Sequence, residues 1–152
     1  MLLREAELND AVLETLIALS KEWEAEQSCH GYRANARADI EGNRIFLAEA
    51  DGAVIGYLFG KRCKSERQSS IMPDATPYFE VEELYVVPSR RSRGVGAALF
   101  AYAEQAVKPE CDYILLSTAT KNWRAIFHFY LDELDMTFWN ARLFKRIRKG
   151  GE

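Results

Sequence analysis

Arg90, Arg91, Arg93, Gly94 and Gly96 follow an apolar run that ends at Pro88, and they open another that begins at Val95. This order predicts a basic, glycine-punctuated turn at the start of a helix. Backbone N–H groups in a first helical turn have no intrahelical partner and carry the positive end of the helix dipole. Glycine lets an anion approach such main chain closely, so the turn suits a phosphate group. Just upstream stand Glu80, Glu82 and Glu83 in a stretch with strand character. A carboxylate there can act as a general base, directly or through water. Each feature also has a plain structural use: glycines serve ligand-free turns, and edge carboxylates serve as solvated charges or ion pairs. The turn is not a Walker A loop, because no Gly-Lys-Ser/Thr follows, and it lacks the complete dinucleotide fingerprint.

The elements that must hold these residues can be read from periodicity. Leu2 to Glu5 predicts a short strand, and Asn9 or Asp10 caps a helix in which Val12, Leu13, Leu16, Ile17 and Leu19 share a face. That helix runs toward Trp23 and ends in the acidic residues Glu22, Glu24 and Glu26, which read either as a solvated end or as an attractor for a cation. A second short helix is expected from Asn35 to Glu41. Arg44 to Ala50 and Ala53 to Lys61 predict a hairpin turned at Asp51-Gly52. Residues 64–77 carry no period and read as an exposed loop. A strand from Tyr78 to Val87 leads through the turn into a helix from about Gly94 to Val107. Within the strand, simple alternation puts Glu80, Glu82, Leu84 and Val86 on one face, and Phe79, Val81, Glu83, Tyr85 and Val87 on the other. A short strand from Asp112 to Thr118, an aromatic helix from Asn122 to Glu133 and one or two closing strands from Thr137 to Arg148 complete the order.

The 152 residues suit a single domain, 1–152, with a core of its own. The net charge of −3 favours no nucleic-acid partner, although residues 61–152 are more basic than residues 1–60. Cys29, Cys63 and Cys111 lack CxxC spacing, so neither a disulfide framework nor a zinc site is expected. His30 and His128 have no ligand company, and no metal is expected. The N-terminus lacks a signal-peptide core and no apolar run is long enough to span a bilayer, so a cytoplasmic protein without a membrane partner is expected. The basic run Lys145, Arg146, Arg148 and Lys149 reads as a solvated tail before it reads as an RNA contact.

The segment Glu83-Leu84-Tyr85-Val86-Val87-Pro88, followed by Arg91-x-x-Gly94-x-Gly96, resembles motif A of the GNAT superfamily of acetyl-CoA-dependent N-acetyltransferases. The order of elements agrees over essentially the whole chain. The resemblance implies a mixed α/β fold: a central, mostly antiparallel sheet of six to seven strands, splayed between the fourth and fifth and flanked by about four helices. It implies acetyl-CoA as co-substrate. Main-chain amides of Arg91, Ser92, Arg93, Gly94, Val95, Gly96 and Ala97 would bind the pyrophosphate, and those of Leu84, Tyr85 and Val86 the pantetheine and acetyl carbonyl. An amide aimed at a thioester oxygen would also stabilise a tetrahedral oxyanion. The family's usual bulge in this strand would alter the alternation at its C-terminal end. Glu82 is the first choice of base, with Glu80 and Glu83 as alternatives. Asn122-Trp123-Arg124-Ala125, leading to Phe129-Tyr130, resembles the family's Asn-x-x-Ala helix, where the asparagine contacts pantetheine and the tyrosine protonates the departing thiolate. Here Tyr130 stands eight residues after Asn122 where seven is commoner, which turns it by about 100° on an ideal helix unless a π-bulge absorbs the extra residue. A packed tyrosine with no catalytic part is the alternative.

The expected function is transfer of an acetyl group from acetyl-CoA to a primary amine of a small molecule by direct attack. Acetylation of a protein N-terminus or lysine is the alternative within the class, and a non-catalytic acyl-CoA-binding module is the alternative outside it. The acceptor is not legible, and a homodimer is left open, with Trp139 in the closing strand as a candidate contact.

Overall fold

The computed structural model describes residues 1–148. The elements are β1 (Leu2–Ala6), α1 (Asp10–Glu26), α2 (Arg37–Ile40), β2 (Arg44–Ala50), β3 (Ala53–Lys64), β4 (Pro77–Val86), α3 (Val95–Val107), β5 (Tyr113–Leu116) and α4 (Trp123–Phe127). A 3₁₀ turn, Pro88–Arg90, joins β4 to α3, and a π-helix, His128–Glu133, continues α4. Local signals account for the first elements. The Asn9 side chain accepts a 2.8 Å bond from the Val12 N–H and caps α1. Asp51 and Gly52 both take positive φ, 53° and 75°, as a tight two-residue hairpin requires.

The sheet has the order β1-β2-β3-β4-β5, antiparallel up to β4, with β5 parallel to β4. Its two faces bury separate clusters. Ile45, Leu47, Tyr57, Phe59 and Tyr85 pack toward Leu13, Leu16 and Leu19 of α1. Phe46, Leu58, Phe79 and Val81 pack toward Leu99, Phe100 and Ala103 of α3. The mixed fold agrees with the reading of the sequence, but the sheet has five strands among the described residues instead of six to seven. Residues 137–147 form no strand, although their alternation is that of one; a strand needs a neighbour to pair with, and along this segment the chain offers none. The loop 64–77 is more built than its composition suggests. Met72 is fully buried, and Ser65 ties the loop's ends through its Oγ donating to the Pro73 carbonyl at 2.6 Å.

The β3–β4 register shifts at one point: Phe59 pairs with Glu83 and Gly60 with Val81, leaving Glu82 as an extra residue. This β-bulge changes which side chains share a face. Phe79 and Val81 lie with Leu84 and Val86 on the α3 side, whereas Tyr85 belongs to the α1-side cluster. Simple alternation, which set Leu84 and Val86 opposite Phe79 and Val81, is thereby corrected. Gly60 makes room for the bulge, since a Cβ there would lie 2.1 Å from the Glu80 carbonyl oxygen and 2.9 Å from the Phe79 ring. Gly60→Ala is expected to lower the unfolding free energy by about 1–3 kcal/mol, the usual cost of overpacking. Urea titration checks this, and an unchanged midpoint would contradict it.

Candidate active site

β5 pairs with β4 only from Tyr78 to Val81. Beyond Val81 the two strands part, and β4 continues to Val86 with β3 alone beside it. The Val87 N–H donates to the Ile55 carbonyl on the β3 side at 2.9 Å. Alternation then turns the Val86 N–H and C=O the other way, into the gap. The Val86 carbonyl accepts a 2.8 Å bond from Arg91 Nε. The Val86 N–H is left facing the splay, and so, two residues earlier, is that of Leu84.

The N-terminus of α3 opens at the same place. Ser92 and Gly94 take positive φ, 61° and 81°, and Gly94 caps the helix without any side-chain bond. The first bond of the helix runs from the Ala98 N–H to the Gly94 carbonyl, so the amides of Val95, Gly96 and Ala97 have no partner within the helix. The two glycines have different reasons. Gly94 needs its left-handed conformation and has open space around it, whereas a Cβ on Gly96 would meet the Phe129 ring at 3.2 Å. Gly96 thus lets the aromatic helix sit close to α3. Arg91, Ser92 and Arg93 are exposed. Arg91 braces the turn: besides Val86 it bonds Glu26 Oε1 at 2.7 Å and lies 5.3 Å from the Tyr85 ring centre.

The three carboxylates of β4 occupy different environments. Glu83 is the most enclosed, and one of its oxygens accepts bonds from Tyr57 Oη (2.8 Å), Asn35 Nδ2 (2.9 Å) and Tyr32 Oη (3.1 Å). Burial pushes its carboxyl above the ordinary value, against the pull of those donors. The same burial and the nearby Glu83 charge raise both tyrosines. Glu80 is also raised, by burial first and by Glu82 second. Glu82, the bulge residue, is exposed, with Lys61 Nζ 3.8 Å away.

On the α1 side, Trp23 stacks on Tyr85 at 5.2 Å and contacts Tyr32 at 4.2 Å. Tyr85 donates to Glu26 at 3.2 Å, and its hydroxyl is pushed up to about 12 by burial and by that carboxylate. Glu26 therefore compensates Arg91 within the protein, and Glu24 accepts from the Ala34 N–H. Of the acidic helix end, only Glu22 is left to face solvent. Sequence reasoning missed Tyr57, Asn35 and Gly60, because each acts through a partner distant in the chain.

Asn122 precedes α4, its N–H donates to Thr120 Oγ1 at 3.1 Å, and its side-chain amide makes no hydrogen bond among the described residues. The π-helix begins at His128 and is closed by the Leu134 N–H donating to the Phe129 carbonyl. A π turn takes one residue more than an α turn, so it accommodates the extra residue around Tyr130. Burial pushes the Tyr130 hydroxyl up to about 12. Its neighbour Phe129 reaches Gly96, and Cys29 bridges to Thr120, so the α1–α2 and β5–α4 connections meet beside the gap. Among the described residues no group of three or more His, Cys, Asp or Glu could hold a metal ion, and no helix is long and apolar enough to cross a membrane.

The fold that carries this half-paired strand and bare helix N-terminus is shared with known proteins. The model of the acetyltransferase (GNAT) family matches residues 12–133, and the chain belongs to that family. Solved structures of similar fold include an aminoglycoside N-acetyltransferase AAC(6')-Iy in complex with CoA. That protein is 22% identical, with a TM-score of 0.66 over 97% of this chain and 99% of that one. A putative acetyltransferase from Agrobacterium tumefaciens is 21% identical, with a TM-score of 0.66 over 98% and 100% of the two chains. The aminoglycoside 6'-N-acetyltransferase AAC(6')-IG from Acinetobacter haemolyticus is 19% identical, with a TM-score of 0.64 over 98% and 99%. No curated protein sequence matches the chain.

The Glu83 environment makes a pH prediction. Its folded pKa lies above the unfolded value, so its contribution to stability is full below the unfolded pKa and is lost as pH rises through the folded one. Urea unfolding of the wild type and Glu83→Gln from about pH 4 to about pH 7 should therefore show the variant gaining relative to the wild type as pH rises. A difference independent of pH would contradict it.

Proposed function

We propose that the protein transfers an acetyl group from acetyl-CoA to a primary amine of a small, cationic molecule by direct attack. The observation that carries this reading is the unpaired edge of β4 from Glu82 to Val86, which adjoins the unpartnered amides of α3. The free N–H groups and the open space at Gly94 fit a pyrophosphate followed by an extended amide chain. In this reading Val95, Gly96 and Ala97, with the turn Arg91, Ser92, Arg93 and Gly94, hold the pyrophosphate. Leu84 and Val86 align the pantetheine by main-chain bonds, Tyr85 between them keeps its main chain on β3, and Asn122 contacts the pantetheine from the other side. Acetyl-CoA supplies the activated carbonyl carbon.

The proposed chemistry balances without a covalent enzyme intermediate. The amine nitrogen forms a bond to the carbonyl carbon, and the Val86 N–H receives the oxygen as it gains charge. The C–S bond then breaks. Glu82 accepts the proton lost by the amine, directly or through water, and Tyr130 donates its proton to the departing thiolate. Exposure favours Glu82 over its neighbours, since three donors engage Glu83 and burial holds Glu80 nearer its neutral form. A small cationic acceptor is favoured by the carboxylates of Glu80 and Glu82 on the bulged strand, and solved structures of this fold include aminoglycoside acetyltransferases.

The test is release of free coenzyme A thiol from acetyl-CoA against aminoglycosides, polyamines and peptides. Turnover is expected with a small polyamine or aminoglycoside and not with peptides; turnover confined to peptides would overturn the small-molecule reading. Glu82→Gln and Tyr130→Phe are each expected to lower kcat about 10²–10⁴-fold. Both should retain the rise in melting temperature that coenzyme A confers. Variants that turn over at the wild-type rate would remove those residues from the mechanism.

A further inference from the structure

Glu26 is the last residue of α1, and its side chain reaches the turn that joins β4 to α3. Within the helix, a carboxylate at this position is disfavoured. It stands at the negative end of the helix dipole, no basic residue lies in the last turn, and Glu22 carries like charge four residues earlier. The partners of Glu26 lie elsewhere. Its Oε1 accepts from Arg91 Nη2 at 2.7 Å and from Tyr85 Oη at 3.2 Å, and its Oε2 accepts from Ser28 Oγ at 3.5 Å. The Glu26 side chain is 21% exposed, against 43% for Arg91, so the carboxylate is the sheltered end of the pair.

Arg91 carries that hold onward to the strand. Its Nε donates to the Val86 carbonyl at 2.8 Å, its Nη2 bonds Glu26, and its guanidinium lies 5.3 Å from the Tyr85 ring centre. Tyr85 is itself stacked on Trp23 of α1. Three contacts on one planar group fix a long side chain that is otherwise free to change rotamer. Val86 depends on that fixity, because it ends β4 and β5 pairs with β4 only as far as Val81. In an extended residue the N–H and C=O point to the same side of the strand. A group that holds the Val86 carbonyl therefore also aims the Val86 N–H into the gap.

We propose that Glu26 is a positioning residue for acetyl transfer: through Arg91 it holds the Val86 peptide so that the Val86 N–H meets the thioester oxygen as that oxygen gains charge. The inference rests on the acetyl-transfer reading above and adds a residue of α1 to it. A donor aimed in advance stabilises the transition state without reorganisation, whereas one that must first be brought into line loses much of that effect. The bound coenzyme depends less on this one bond, since in the same reading the amides of α3 and the turn hold its pyrophosphate. Loss of the brace therefore slows the chemical step and leaves coenzyme A affinity nearly unchanged.

The experiment compares three readouts across variants: thiol release with the best acceptor of the aminoglycoside, polyamine and peptide panel, coenzyme A binding by calorimetry, and the ¹³C resonance of the Val86 carbonyl. Glu26→Ala is expected to lower kcat about 10–100-fold, the scale of a small misplacement at a reacting centre. Its coenzyme A dissociation constant should stay within about threefold of the wild type, and its Val86 carbonyl resonance should move upfield as the Arg91 bond is lost. Glu26→Gln keeps an oxygen for Arg91 and Tyr85 and should recover most of the rate, a rescue that a merely packed side chain would not need. Arg91→Lys keeps the charge but cannot engage the carbonyl and the carboxylate in one plane, so it should be slowed to a similar degree, and the double variant no further. With a wild type that turns over, Glu26→Ala at the wild-type kcat, a loss confined to coenzyme A affinity, or an unmoved Val86 resonance would each overturn this inference alone. A wild type that acetylates no amine would overturn the acetyl-transfer reading and this inference with it.

Discussion

β4 is an interior strand paired on both sides for only part of its length. Main-chain N–H and C=O groups left without partners are costly wherever water is excluded, so an interior strand ordinarily keeps both neighbours. Here β5 leaves after Val81, and the surrounding elements accommodate the consequences. Arg91 turns back to satisfy the Val86 carbonyl, Pro88 contributes no N–H of its own, and the 3₁₀ turn directs the chain into α3. What faces the gap is mostly donors: the Leu84 and Val86 amides on the strand, with the Leu84 carbonyl between them, and the first amides of α3. A surface richer in donors than in acceptors suits a ligand rich in carbonyl and phosphate oxygen, as a coenzyme A thioester is.

The bulge at Glu82 and the gap are two parts of one device. The extra residue on β4 moves Glu83 and Tyr85 toward α1 and brings Leu84 and Val86 over to the α3 side. Enclosed there, the Glu83 carboxylate gathers Tyr32, Asn35 and Tyr57 and fastens the α1–α2 connection to the sheet. Glu26 does the corresponding work at the end of α1, holding Tyr85 and Arg91 together. The α1 side of the sheet and the arginine-glycine turn therefore share side chains.

Much of this was legible in the chain. The Asn9 cap, the Asp51-Gly52 hairpin and the arginine-glycine turn are local signals, and each appears where periodicity and turn chemistry put it. The family was legible in the turn together with its preceding strand, and the splay was implied by that resemblance. The bulge was anticipated only by resemblance, since its physical cause is Gly60 on the neighbouring strand, and nothing within β4 announces it. The Glu83 cluster was invisible because its members lie 26 to 51 positions from Glu83 in the chain. At the C-terminus the alternation from Thr137 onward was a fair strand signal, but periodicity reports a face to be buried and says nothing of what buries it. The eight-residue spacing from Asn122 to Tyr130 was likewise visible, and the π turn that absorbs it shows why a spacing alone could not fix the tyrosine's direction.

The most direct measurement of the central claim is a titration of the ¹⁵N-labelled protein with coenzyme A, followed amide by amide. The account predicts saturable shifts concentrated at Leu84, Val86, Val95, Gly96 and Ala97, with β1 and β2 little changed. Saturable shifts confined to other parts of the sheet, or none at all, would contradict it.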